Sequence, residues 1–316
     1  MQPFEYRTPK SLKEVQQDLK QFGTDAKLIA GGTALVIMMK QRLVRPTCLI
    51  SLRNVRGLSG IGEKNGALSI GGLTTHRAVE ISPLVRRKLP VLAETYRYVA
   101  TIRVRNMATV GGGLAHADPN QDPPPTLIAL GASLKASSAD GSRVIPLEEF
   151  FTDYYETVLK PDEVITEISV PRLPPNSGAA YLKFLPRTAD DYATVSAAAV
   201  VTLDRSKKIF SDVRIALGSV GTTPIRARDA EVVLRGQPVK AEALSEAGET
   251  AKQAVDPLSD FRGSAAYKKE MAGVFVRRAL EKALEGLVRL AKATPRSKLQ
   301  EAYSSKNTNS TRTATA

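Results

Sequence analysis

Two glycine clusters are the residues best suited to do chemistry: Ala30-Gly31-Gly32-Thr33-Ala34, between a strand pattern and a helix pattern, and Thr109-Val110-Gly111-Gly112-Gly113-Leu114. Both place bare backbone where an anion can approach. A strand–Gly–Gly–helix junction presents unpaired N–H groups and the positive end of a helix, and glycine lets a phosphate come close without a Cβ in the way. Either cluster alone also reads as a plain tight turn. Two of them in one chain, each flanked by Thr, point to a diphosphate clamped between them. On that reading, Val at Gly32 or Gly112 abolishes ligand binding and leaves the chain folded.

Other sources of chemistry are scarce. Gly60-Ile61-Gly62 is followed by Gly66, the wrong spacing for Gly-x-Gly-x-x-Gly, and neither a Walker loop nor a Gly-x-Ser-x-Gly elbow occurs. Cys48, His76 and His116 are the only Cys and His residues, too few for an iron–sulfur cluster or a structural zinc site. The lone Cys excludes an intrachain disulfide and fits a reducing compartment. It lies in an apolar strand pattern and reads as a small buried hydrophobe. His76 and His116 adjoin the two loops, where a lone His reads as a hydrogen-bonded support more readily than as an acid or base. No catalytic residue and no metal ligand is assigned.

The elements that must position these clusters follow from patterning. The chain has 316 residues, 42% hydrophobic and 24% charged, which is ordinary globular usage and enough for more than one domain. Ser11 and Glu14 form a capping box before a helix with Leu12, Val15, Leu19 and Phe22 on one face. Lys27 to Ala30 is a strand, Ala34 to Met39 a helix, and Thr47 to Leu52 a buried strand parallel to the first, so residues 1–56 form an α/β unit. An α+β segment, residues 57–175, follows. It has hairpins at Asn65-Gly66 and Asp140-Gly141, a helix from Val91 to Ala100, and an alternating run from Glu163 to Val170 that reads as an exposed-edge strand. The stretch Pro171 to Gly178 is the main boundary. Residues 176–290 then read as strands (Thr194 to Leu203, Val213 to Leu217) followed by helices (Arg228 to Leu234, Ala241 to Val255, Tyr267 to Leu290), and residues 291–316 as a disordered tail.

Lys+Arg 45 against Asp+Glu 32 gives a net charge of +13. The cations are dispersed, aromatic content is 5% and Trp is absent, so the base-stacking platforms of nucleic-acid binders are not in evidence. No signal peptide and no apolar run of about 18 residues is present, and the expected location is cytoplasmic.

A family resemblance sharpens this reading. It rests on Phe4-Glu5-Tyr6-x-x-Pro9-x-Ser11-x-x-Glu14, Leu28-Ile29-Ala30-Gly31-Gly32-Thr33, Gly71-Gly72-Leu73-Thr74-Thr75-His76 and, above all, the run from Arg105 through Thr109-Val110-Gly111-Gly112-Gly113-Leu114-Ala115-His116-Ala117-Asp118 to Pro119. In these motifs, over residues 1–285, the chain resembles the FAD-binding medium subunit of the molybdenum hydroxylases, the group of aerobic carbon monoxide dehydrogenase, xanthine dehydrogenase and related aldehyde and N-heterocycle hydroxylases. The resemblance implies an α+β protein: a two-subdomain PCMH-type FAD-binding fold followed by an α+β C-terminal domain with an antiparallel sheet and helices.

By the same resemblance, Lys27, Leu28, Ile29, Ala30, Gly31, Gly32, Thr33 and Ala34 form one cofactor loop, and Ala108, Thr109, Gly111, Gly112, Gly113 and Ala115 the other, with Thr75 and His76 beside them. Asp122 matches an acidic residue that helps to bind the adenosine part. Asp118 is either a further contact or a turn former before Pro119. Val99, Leu159 and Lys183 match FAD-contacting positions, and Tyr192 matches a residue covering the flavin ring, with a packing aromatic as the alternative. Gly113 stands where the family often has Asn, and Thr33-Ala34 where it commonly has Gln-Ser or His-Ser. The implied activity is electron transfer: from [2Fe–2S] clusters of a small subunit, through FAD, to an external acceptor, with the molybdenum cofactor on a large subunit and a dimer of heterotrimers as the assembly. The alternatives are a self-sufficient FAD-dependent NAD(P)H oxidoreductase and a basic nucleic-acid-binding module.

Overall fold

A computed structural model describes residues 2–293 except Pro186 and Ala189. The first unit holds β1 (Glu5–Arg7), α1 (Leu12–Phe22), β2 (Ala26–Ile29), α2 (Leu35–Lys40) and β3 (Cys48–Ser51). Its sheet order is β1-β3-β2 with both pairings parallel, so α1 and α2 are the crossovers that parallel strands require. Central β3 is buried at every residue, and Cys48 is fully buried, with its thiol pushed up by that burial. Ser11 caps α1 as expected, accepting from Glu14 N at 3.2 Å. Glu14 reaches one residue further back than a capping box does: its Oε2 accepts from Lys10 N at 2.8 Å and its Oε1 from the Ser11 hydroxyl.

The second unit contains β4 (Ile61–Lys64), β5 (Ala67–Gly71), the helices α3 (His76–Ile81), α4 (Pro83–Lys88), α5 (Pro90–Arg97), α6 (Ile102–Met107), α7 (Val110–His116) and α8 (Pro123–Ala129), then β6 (Ser133–Ser138), β7 (Gly141–Pro146), β8 (Phe151–Asp153), β9 (Glu156–Thr157) and β10 (Val164–Val170). Both hairpins form where the turn dipeptides stand; Asn65 and Gly66 have φ of 51° and 78°, the left-handed pair such a turn needs. The main sheet is antiparallel in the order β4-β5-β10-β6-β7, which places β10 in its centre and corrects the edge-strand expectation. Alternation of polar and apolar residues reports one incompletely covered face, not a missing neighbour: Ile168 and Val170 are buried while Glu167 and Ser169 are half-exposed.

The third unit is an antiparallel sheet of β11 (Ser177–Phe184), β12 (Val195–Leu203), β13 (Phe210–Gly218) and β14 (Ile225–Arg226), with α9 (Arg228–Leu234), α10 (Ala241–Ala251) and α11 (Ala265–Ala293). Strand β11 had no sequence expectation, because Ser-Gly-Ala-Ala has little strand propensity; eight paired positions with β12 hold it. The run of small and β-branched residues in β12 is explained by burial on both faces. Ala197, Ala199 and Val201 join the core with α10 and α11, and Ala198 and Val200 join the core of the second unit through Tyr181. A Cβ at Gly178 would overlap the Ala283 carbonyl, so this glycine lets α11 lie directly on β11. Residues 291–293 end α11, and the rest of the expected tail lies outside the described residues.

Candidate functional site

The two glycine clusters come together, with different backbone economies. In the first, β2 ends at Ile29 and α2 begins at Leu35. The amides of Gly31, Gly32, Thr33 and Ala34 donate to no acceptor among the described residues, and the residues that carry them are half-buried. Gly32 has a φ of +71°, which L side chains adopt rarely. A run of free amides ahead of a helix attracts a phosphate group, so this loop fits a diphosphate.

The second cluster spends its amides inside the protein, which corrects the expectation of unpaired N–H groups there. Val110 N donates to Thr74 O (2.9 Å), Gly111 N to Gly72 O (2.8 Å), Gly112 N to the Thr109 hydroxyl (3.2 Å) and Gly113 N to Thr109 O (2.8 Å). Thr75 pairs with Thr109, and His76 N donates to Ala108 O at 2.9 Å. His76 itself is buried, with Nε2 donating to Thr109 O at 3.1 Å and its ring 5.0 Å from that of Tyr96. Burial pushes its pKa down to about 4. It is a neutral support for the loop, the role the sequence favours. What α7 does offer a ligand is a small exposed face of Gly112 and Ala115, one turn apart.

The loops touch. A Cβ at Gly31 would overlap the Met107 carbonyl, and one at Gly112 would lie 3.6 Å from the Ala30 Cβ. Gly31 is therefore required by the seating of the first unit on the Met107–Ala108 backbone, not by access for a phosphate. Val at Gly32 or Gly112 carries a structural cost beside any effect on a ligand: at Gly32 a β-branched residue meets a left-handed φ, and at Gly112 a Cβ would stand 2.7 Å from the Thr109 hydroxyl that caps α7.

Asp122, Lys183 and the Val99 segment form a second assembly. Lys183 Nζ, whose side chain is 1% exposed, donates to Asp122 Oδ2 (3.0 Å) and Tyr98 O (3.1 Å), and the Tyr181 hydroxyl donates to Asp122 Oδ1 at 2.5 Å. Burial pushes the Asp122 carboxyl up, opposed by the Lys183 charge and the Tyr181 hydroxyl. Both charges are thus engaged with each other across two units, and removing either strands its partner at about 3–5 kcal/mol. Arg105 Nη1 donates to Val99 O and Ala100 O at 2.9 and 2.6 Å, and its Nε meets buried Glu80 at 2.9 Å. Val99 and Leu159 are half-buried against the second core, and Lys27 is exposed on β2.

Asp118 is a turn former, accepting from Asn120 N at 2.9 Å, and its charge acts on Tyr192, whose phenol is pushed up first by burial and then by that charge. The Arg262 guanidinium lies 5.6 Å from the Tyr192 ring centroid. His116 sits 5.2 Å from the Tyr155 ring, and burial pushes its pKa down. Sequence reasoning missed Tyr181 and Arg262 and saw Arg105 only as motif and charge; no spacing rule links Arg262 to Tyr192 across 70 positions.

Residues 2–173 match the family described as the FAD binding domain in molybdopterin dehydrogenase, and residues 180–283 the CO dehydrogenase flavoprotein C-terminal domain. The carbon monoxide dehydrogenase medium chain of Hydrogenophaga pseudoflava is 39% identical over 280 residues, 89% of this chain and 96% of that one. The 6-hydroxypseudooxynicotine dehydrogenase complex subunit alpha of Paenarthrobacter nicotinovorans is 37% identical over 281 residues, 89% and 94% of the two chains. Among solved structures, carbon monoxide dehydrogenase from Hydrogenophaga pseudoflava superimposes with a TM-score of 0.86 at 40% identity, covering 89% of this chain and 97% of the other.

Proposed function

Because the chain belongs to the family of FAD-binding medium subunits of molybdenum hydroxylases, we propose that it takes electrons from the [2Fe–2S] clusters of a small partner subunit and passes them to an external acceptor. The chain is the flavoprotein subunit of an oxidoreductase, and its own cofactor is FAD. Bound FAD supplies the redox chemistry, and the protein supplies binding, orientation and electrostatics. The observation that carries the residue-level reading is the run of free amides from Gly31 to Ala34, set against the small face of Gly112 and Ala115.

In this reading Gly31, Gly32, Thr33 and Ala34 hold the diphosphate by their N–H groups, with the half-buried Leu28, Ile29 and Ala30 and the exposed Lys27 leading into the loop. Thr109, Gly111 and Gly113, braced by Thr75, His76 and Ala108, keep the facing surface in place. Asp122 and Lys183 act chiefly through each other, fixing the Tyr98–Val99 backbone; Leu159 and Val99 pack against the same core, and Tyr192 covers the ring. The cofactor lies across the first two units, residues 1–56 and 57–175, with residues 176–290 as the third domain.

The single Cys leaves the iron–sulfur clusters to the small subunit, and a large subunit carries the molybdenum cofactor and the substrate chemistry. The assembly is a dimer of heterotrimers in the cytoplasm; no helix among the described residues is long and apolar enough to cross a membrane. Purification of the chain from its source, with a visible spectrum and mass spectrometry of released cofactor and attached chains, tests this. FAD together with a cysteine-rich small chain and a large chain is the expected result. A single colourless chain that stays colourless with added FAD overturns it.

A further inference from the structure

The segment between α10 and α11 is braced beyond the needs of a surface turn. Lys268, on α11 and 5% exposed, donates to Leu258 O at 2.8 Å and pairs with Asp260 Oδ1 at 2.8 Å. Asp260 in turn accepts from Arg262 N at 2.8 Å and from Arg262 Nη1 at 3.0 Å, while Asp260 and Gly263 exchange backbone hydrogen bonds of 3.1 Å. Ser259 Oγ accepts from Ala265 N at 2.8 Å and ties the segment to the start of α11.

Through Asp260 this bracing reaches one guanidinium. Arg262 Cζ lies 4.5 Å from the Phe261 centroid and 5.6 Å from the Tyr192 centroid, so the cation stands within cation–π reach of two aromatic rings, with its side chain 14% exposed. Phe261 is 75% exposed. Tyr192 itself lies outside the paired strands, in the connection between β11 and β12, so its ring depends for its orientation on side-chain contacts, of which the Arg262 guanidinium at the ring is one. A planar, always-charged guanidinium is the side chain suited to that stacking.

We propose that Arg262 is a positioning residue for the flavin, clamping the Tyr192 ring in the orientation in which it covers the isoalloxazine. The inference rests on the reading of Tyr192 given above, and the experiment separates the two. The full chain is loaded with FAD, and flavin fluorescence and the FAD dissociation constant are measured for Arg262→Met, Arg262→Lys, Tyr192→Leu and the Tyr192→Leu/Arg262→Met double variant. Contact with an electron-rich phenol quenches flavin emission, so a released ring is read directly. Arg262→Met is expected to raise the emission and weaken FAD binding about two- to thirtyfold, the range a cation–π contact spans. Arg262→Lys, which keeps the charge but not the plane, recovers part of both. The double variant goes no further than Tyr192→Leu alone, because Arg262 acts through that ring. Emission raised by Tyr192→Leu but unchanged in Arg262→Met, or effects that add in the double variant, overturns the role of Arg262. Unchanged emission in Tyr192→Leu overturns the covering role of Tyr192, and the clamp with it.

Discussion

The first and second glycine loops share a composition and differ in what they do with it. From Gly31 to Ala34 the backbone N–H groups have no acceptor among the described residues; from Val110 to Gly113 every one is bonded within the chain. One loop is built to donate outward, the other to hold two segments and the first unit together. A glycine-rich sequence therefore does not by itself mark the atoms that meet a phosphate; the hydrogen-bond ledger of each amide does.

The largest way to break this contrast is Gly31→Ala. Its Cβ would run into the Met107 carbonyl, where backbone cannot yield cheaply, so the variant is expected to lose about 3 kcal/mol in denaturant unfolding of the FAD-free chain. Stability within 0.5 kcal/mol of wild type, roughly the scatter of surface changes, would remove the claimed seating of one unit on the other.

Acid acts next, and on the second loop only. His76 titrates near 4 when folded and near 6.5 when unfolded, so below pH 6.5 the unfolded chain binds the proton first and stability falls as pH drops toward 4. By pH 5 the loss is about 2 kcal/mol, and His76→Phe should flatten the pH profile in that window. An unchanged slope in that variant contradicts the buried neutral imidazole under Thr109.

Proline tests the amides one at a time. Ala34→Pro removes an N–H that nothing in the protein uses, and should weaken FAD binding about tenfold, a charge-assisted hydrogen bond's worth, with unfolding little changed. Val110→Pro removes the bond to Thr74 O and should instead appear in unfolding, about 2 kcal/mol. A swap of these two outcomes would reverse the roles of the loops. Smallest of all, Thr109→Ala deletes the cap of α7 for about 1 kcal/mol, checked by the shift in thermal midpoint.

Much of this architecture was legible from local rules, because local chemistry decides it. Ser11 starts α1, Asn65-Gly66 turns a hairpin, and the Gly-Gly-Thr run sits between strand and helix as its flanking periodicities require. What local rules missed depends on partners far away in sequence. Strand β11 exists through its pairing with β12, β10 is central because β5 and β6 both add to it, and the Val110 and Gly111 amides of the second loop are consumed by Thr74 and Gly72. The same holds for side chains: Lys183 meets Asp122 across 61 positions, and nothing in either neighbourhood announces the other.

Hydrogen exchange of the full chain, with and without FAD, tests the central claim most directly, since it reads the amides themselves. FAD is expected to slow exchange strongly at Gly31 to Ala34 and to leave Val110 to Gly113, already bonded in its absence, slow and nearly unchanged. Protection that appears instead at Val110 to Gly113, with residues 31–34 exchanging as fast as before, would contradict it.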